Sequence, residues 1–165
     1  MITKPDLSPR LYFSYSQVMV YDQSVQLPGC DWTEVHTAQG FARRGSVVNF
    51  NTPLEFGYAD AEVRREGYQP QREYQRVIAV PFRVTSGKVV VEGPEETTVE
   101  RSISLPPGHY RLVAAQYVTA DDEEVIDVYV DLLTKALEQS AVLVADEALS
   151  PPTPLIETAK VAGEA

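Results

Sequence analysis

Cysteine is nearly absent. Cys30 stands alone among 165 residues, which excludes an internal disulfide and a thiolate metal site. Histidine is almost as scarce: only His36 and His109 occur. One falls in an expected helix and the other beside a turn, so a centre built from several imidazoles on neighbouring strands is not expected. No Gly-rich phosphate loop and no Gly-x-Ser-x-Gly nucleophile elbow occurs. No apolar run reaches the roughly 18–20 residues that span a bilayer, so membrane insertion is not expected. Residues 1–10 carry no apolar stretch of the kind a signal peptide needs, and the lone thiol suits a reducing compartment. A cytoplasmic protein is therefore expected.

Positive charge is also in short supply. Lys and Arg number 14 against 24 Asp and Glu, for a net charge of −10. A nucleic-acid binder needs cations to displace counterions from phosphates, so direct nucleic-acid contact is disfavoured. Anionic membranes are disfavoured for the same reason. The imbalance is local: residues 1–84 hold nine acids and nine bases, whereas residues 85–165 hold 15 acids and 5 bases. The densest cluster is Asp121, Asp122, Glu123 and Glu124, followed by Asp127 and Asp131. Such asymmetry points to an acidic face.

What the sequence does have is alternation. With 44% hydrophobic residues, the chain is long enough to bury a core without staples. The period is mostly two. Residues 11–21 read as one strand whose apolar phase shifts after Tyr15, as a β-bulge would produce. Residues 78–92 read as a hairpin about Thr85, Ser86 and Gly87, with Pro81 requiring an edge or a bulge. Residues 97–105 and 109–118 read as a weaker strand and its return about Pro106, Pro107 and Gly108. The second of these is apolar on both sides, as a covered central strand would be. Residues 126–132 read as a strand with a polar outer face, and residues 140–144 as a further short strand. A helix is expected within residues 31–42, capped by Asp31 or Thr33, and a short one at residues 59–65. The prolines at 151, 152 and 154 forbid a helix in the tail. The expectation is a mainly β, single-domain antiparallel β-sandwich over residues 1–149, with one short helix and an extended Pro-rich C-terminal tail over residues 150–165.

The acidic cluster admits several chemistries. Carboxylates at Asp121, Asp122 and Glu124 could serve a calcium site or a glycosidase pair. The spacing of a calcium loop is missing, and a solvated turn between strands is the plain reading. Trp32 reads as a core anchor or a binding platform. Nine tyrosines suit strands and protein interfaces alike.

Several segments together resemble a known family. These are LYFSYSQVMVY at residues 11–21, DWT at 31–33, GFA at 40–42, GSVVNF at 45–50, VPFRVT at 80–85 and SLPPGHYRL at 104–112. In this order and spacing they resemble the competence protein J family, the DNA-entry nuclease inhibitors. The resemblance implies a non-enzymatic protein, without cofactor, that binds a metal-dependent, sugar-nonspecific DNA endonuclease and blocks it. An immunity role against a nuclease toxin is a natural extension. The family supplies no interface residues. From charge alone, Asp121, Asp122, Glu123, Glu124, Asp127 and Asp131 are expected to meet the basic cleft of the cognate endonuclease, with Trp32 as a second surface. The runner-up is a calcium- or carbohydrate-binding module on the same sandwich.

Overall fold

The alternation builds two packed sheets in a computed structural model that describes residues 2–94 and 100–162. The strands are β1 (Arg10–Phe13), β2 (Gln17–Asp22), β3 (Phe41–Arg44), β4 (Val47–Asn51), β5 (Gly57–Arg64), β6 (Arg76–Val84), β7 (Lys88–Glu92), β8 (Ser102–Ser104), β9 (Gly108–Val118), β10 (Glu124–Leu133) and β11 (Ala141–Val144), with one helix, α1 (Glu34–Gln39). One sheet has the order β1-β5-β10-β9-β6-β11 and the other β3-β4-β2-β7-β8. Every pairing is antiparallel except that of β10 with β5. The core lies between the sheets. Leu11, Phe13, Ile78, Leu112, Ile126 and Val128 face Val18, Val20, Phe41, Phe50 and Val91 across it. Each such Phe or Leu contributes about 1.5–3 kcal/mol on burial.

Four expectations need correction. Residues 11–21 are not one bulged strand: β1 and β2 belong to different sheets, separated by a turn in which Tyr15 and Ser16 take φ of 55° and 54°. The phase shift marks a change of sheet. Residues 78–92 are not a hairpin either. β6 pairs with β9, and β7 pairs with β2. The buried Asp22 carboxylate at the end of β2 accepts the Thr85 and Ser86 N–H groups at 2.8 and 3.0 Å, fixing the turn where the chain crosses over. Pro106, Pro107 and Gly108 likewise carry the chain from β8 in one sheet to β9 in the other. The short helix at residues 59–65 is instead strand β5, whose Ala59, Ala61 and Val63 point into the core.

Other expectations match. Pro81 sits on β6 beyond the last residue paired with β11, where Arg83 two residues on donates to Gly45 rather than to a strand. β9 is central, flanked by β10 and β6. Of the weaker strand at 97–105, only β8 is formed among the described residues; Thr97, Thr98 and Val99 lie outside them.

The helix is shorter than the span read from sequence. Thr33 is its N-cap, and His36 completes a capping box by accepting the Thr33 N–H at Nδ1. That leaves the proton on Nε2, which donates to Thr158 O at 3.0 Å. His36 is thus structural. Gly40 ends the helix at φ 90°, and a Cβ there would lie 2.8 Å from Ile78 Cδ1. Residues 156–162 run as a strap along α1, β3 and the loop before the helix. Gln39 exchanges two hydrogen bonds with Ile156, Arg43 donates to Glu157 O, and Asp31 N donates to Lys160 O.

Candidate functional site

The acidic cluster splits into an exposed part and a buried part. β9 and β10 are joined by a tight turn in which Thr119 N donates to Glu123 O at 2.8 Å and Asp122 N to Thr119 O at 3.1 Å. Asp122 takes φ 57°, a left-handed conformation that Asp tolerates better than most residues. Asp121 and Asp122 project into solvent. Glu123, half-buried, pairs with Arg10 at 2.6 Å, and Arg10 also reaches Asp60 at 3.0 Å. Hydrogen bonds to Glu123 and then Asp60 push the Arg10 pKa up.

Glu124 points the other way. It lies on the core side of β10 and is fully buried. It accepts the Leu54 N–H at 2.7 Å, while its Oε2 has no hydrogen-bond partner. Burial pushes its pKa up to about 7, against the opposing pull of the Leu54 bond and Arg76.

Asp127 is also fully buried, although it lies on the outer face of its sheet. The polar outer face expected of this strand is covered by residues 65–75. Asp127 meets Arg64 Nη1 at 2.6 Å and Arg72 Nε at 3.5 Å, and accepts the Tyr74 hydroxyl. Burial, then the bond to Asp127, pushes Tyr74 well above the usual phenol range. The network continues through Tyr129 to Gln71. It closes the outer face and leaves Asp127 no route to a partner's side chains. Asp131 is half-buried, next to Gly67. Trp32 is half-buried over the outer face of the other sheet, packed against Cys30, Ala42 and Val47 and edge-on to His36. The structure therefore brings together Asp121, Asp122 and Glu123. Glu124 and Asp127 are withdrawn into the interior, and Trp32 is on a different face.

Around the exposed acids lies a feature that sequence reasoning missed. Tyr12 on β1 and Tyr58 on β5 are directly paired, their rings edge-to-face at 5.4 Å. Arg10 lies 4.8 Å over the Tyr58 ring. The chain continues from β1 into the turn bearing Tyr15, where Ser16 N donates to Glu55 O, so Tyr15 and Phe56 come from adjoining segments. Tyr12, Tyr15, Phe56 and Tyr58 are 41%, 78%, 62% and 52% exposed. The acidic turn is contiguous with them because Glu124 is in register with Ala59. The signal was present in sequence: Tyr12 occupies the polar phase of an alternating strand between Leu11 and Phe13. Among the described residues no group of three or more acids, histidines or cysteines is placed to hold a metal ion.

A mainly β protein of two antiparallel-dominated sheets is the class that this fold defines. The chain belongs to the competence protein J (ComJ) family, whose model matches residues 10–135. Among solved structures, the crystal structure of ComJ from Bacillus subtilis, described as an inhibitor of the DNA-degrading activity of NucA, matches with a TM-score of 0.70. The two are 20% identical, and the match covers 81% of this chain and 100% of that one. Comparison with curated protein sequences returns no match.

Proposed function

We propose that this chain is a stoichiometric protein inhibitor of a metal-dependent, sugar-nonspecific DNA endonuclease, acting without turnover of its own. Membership of the ComJ family carries the reading, and the fold shared with the NucA inhibitor supports it. An enzyme that grips a polyanion presents a basic cleft. Asp121, Asp122 and Glu123, on a turn linked to Asp60 through Arg10, offer the opposite charge in a form able to enter such a cleft. Complementary charge of this kind speeds encounter and fixes orientation. The reading includes a cytoplasmic setting, supported by a single, buried thiol.

The test is titration of the purified chain into a DNA-degrading nuclease of this type, NucA or one encoded beside this chain, with plasmid DNA as substrate. Inhibition should saturate at equimolar inhibitor and weaken as salt rises. Full nuclease activity at tenfold excess of the chain would overturn the proposal. A gain in thermal stability with calcium alone, and none with any nuclease, would favour the binding-module alternative instead.

A further inference from the structure

We infer that Tyr12, Tyr15, Phe56 and Tyr58 form the apolar anchor with which this chain seats on the basic surface of its nuclease, the acids steering and the aromatics holding. The inference rests on the nuclease-inhibitor reading and assigns it a surface. Four large aromatic side chains stand exposed along one edge and its adjoining loops. Scattered apolar residues on a surface are ordinary, but here Tyr12 and Tyr58 are in ring contact and Tyr15 and Phe56 lie next to the hydrogen-bonded Ser16 and Glu55, a grouping of the kind that marks an interaction site. Aromatic residues are also the side chains most enriched among those that dominate binding energy.

The backbone at this corner is unusual as well. The turn from Ser14 to Gln17 closes with Gln17 N donating to Ser14 O at 3.2 Å, and both central residues are left-handed. Turns of that hand ordinarily take Gly, Asn or Asp. Here Tyr15 and Ser16 adopt it, with φ of 55° and 54°, a conformation that crowds the Cβ of a side chain. Strain of this kind collects at functional sites, and this turn presents the most exposed of the four rings.

The rim decides the occupant. Arg10, over the Tyr58 ring, is already paired to Asp60 and Glu123, and Glu55, Asp121 and Asp122 are exposed on the adjoining segments. A second copy of the chain would bring acid against acid, and nucleic acid would meet the same repulsion. A surface of Arg and Lys fits instead. Its cations meet the carboxylates, and their aliphatic stems and guanidinium planes pack on the rings.

The experiment compares the unaltered chain with Tyr15→Ser/Phe56→Ser and with Asp121→Asn/Asp122→Asn, measuring association and dissociation rates on NucA or the nuclease encoded beside the chain. The aromatic variant should keep its far-UV spectrum, dissociate at least 100-fold faster and associate within threefold of the unaltered rate. The acidic variant should associate more slowly at low salt, with a smaller change in dissociation. Phe56→Ser alone, expected to dissociate at least tenfold faster, serves if the double variant fails to fold. Unchanged inhibition by a folded aromatic variant, beside a potent unaltered chain, overturns this inference and leaves the inhibitor reading standing. An unaltered chain that inhibits no such nuclease overturns both. A self-associated chain dispersed by the aromatic substitutions also overturns it, assigning the corner to a second copy.

Discussion

Glu124 Oε1 accepts the backbone N–H of Leu54 at 2.7 Å, from a carboxylate with no exposure to solvent. The bond ties the start of β10 to the loop that leads into Phe56. The burial of the carboxylate, which the bond opposes, sets a pH dependence. Burial raises the Glu124 pKa from 4.5 to about 7, so between those values the folded chain holds a proton that the unfolded chain has released. Stability therefore falls as pH rises through this window, by about 3 kcal/mol in all. Denaturant unfolding at pH 5 and pH 8 should show this loss. Glu124→Gln, whose amide oxygen still accepts from Leu54, should flatten the curve and be the more stable form at pH 8. An identical pH dependence in both proteins would refute the assignment.

Arg64 and Asp127 form a pair with 1% and 0% side-chain exposure. Neutralising Asp127 removes the close carboxylate partner of the buried Arg64 and leaves it only the longer approaches to Glu62 and Glu66, at 3.8 and 3.9 Å. Asp127→Asn should cost about 3–5 kcal/mol, lowering Tm by roughly 10 °C. Because Asp127 does not reach the surface, inhibition measured well below the new Tm should be unchanged.

The left-handed turn gives an opposite prediction. Ser16→Gly relieves a steric conflict that a side chain suffers at φ 54° and should stabilise the fold by about 0.5–1 kcal/mol. It leaves Tyr15 in place, so inhibition should be retained. A destabilised Ser16→Gly protein would contradict the strain argument.

Gly93 lies where a side chain has no room. A Cβ there would meet Tyr12 O at 2.5 Å and Phe13 Cα at 3.0 Å, both backbone atoms that cannot rotate aside. Gly93→Ala should destabilise by about 1–3 kcal/mol and displace β1. The displacement would be visible as an altered Tyr12 environment in near-UV circular dichroism.

Much of the strand layout was legible because alternation is a local signal. β9 reads as a covered central strand from its two apolar faces, and Pro81 demands an unpaired backbone position on β6. Strand partners were not legible in the same way. The turn at Thr85, Ser86 and Gly87 is short enough for a hairpin, yet Asp22, more than 60 residues earlier, captures its N–H groups and draws it across to the other sheet. Burial, followed by opposing hydrogen bonds from Ser24, Ser86 and Thr85 that outweigh it, leaves the Asp22 pKa below the usual carboxylate range. Asp127 was misplaced for a similar reason. Its polar phase marks it for solvent, but Arg64, Arg72 and Tyr74 arrive from distant sequence to cover it. The exposed Asp121 and Asp122 could be read from a turn signal. The aromatic corner left a single sign, Tyr12 in the polar phase of its strand, and that sign is weak because tyrosine suits a strand interior and an interface equally well.

The sheet changes at Ser14 to Ser16, at Thr85 to Gly87 and at Pro106 to Gly108 mean that these strand neighbours in the chain are strangers in hydrogen bonding. No adjacent pair among β1 and β2, β6 and β7, or β8 and β9 can zip up on its own after synthesis. β1 must wait for β5, and β6 for β9, even though β8 pairs with the preceding β7 and β9 with the following β10, so much of the chain closure is non-local and assembly should be slow, on the order of milliseconds to seconds. A cell making this protein thus carries unpaired strand edges for longer than it would with a meander of the same length.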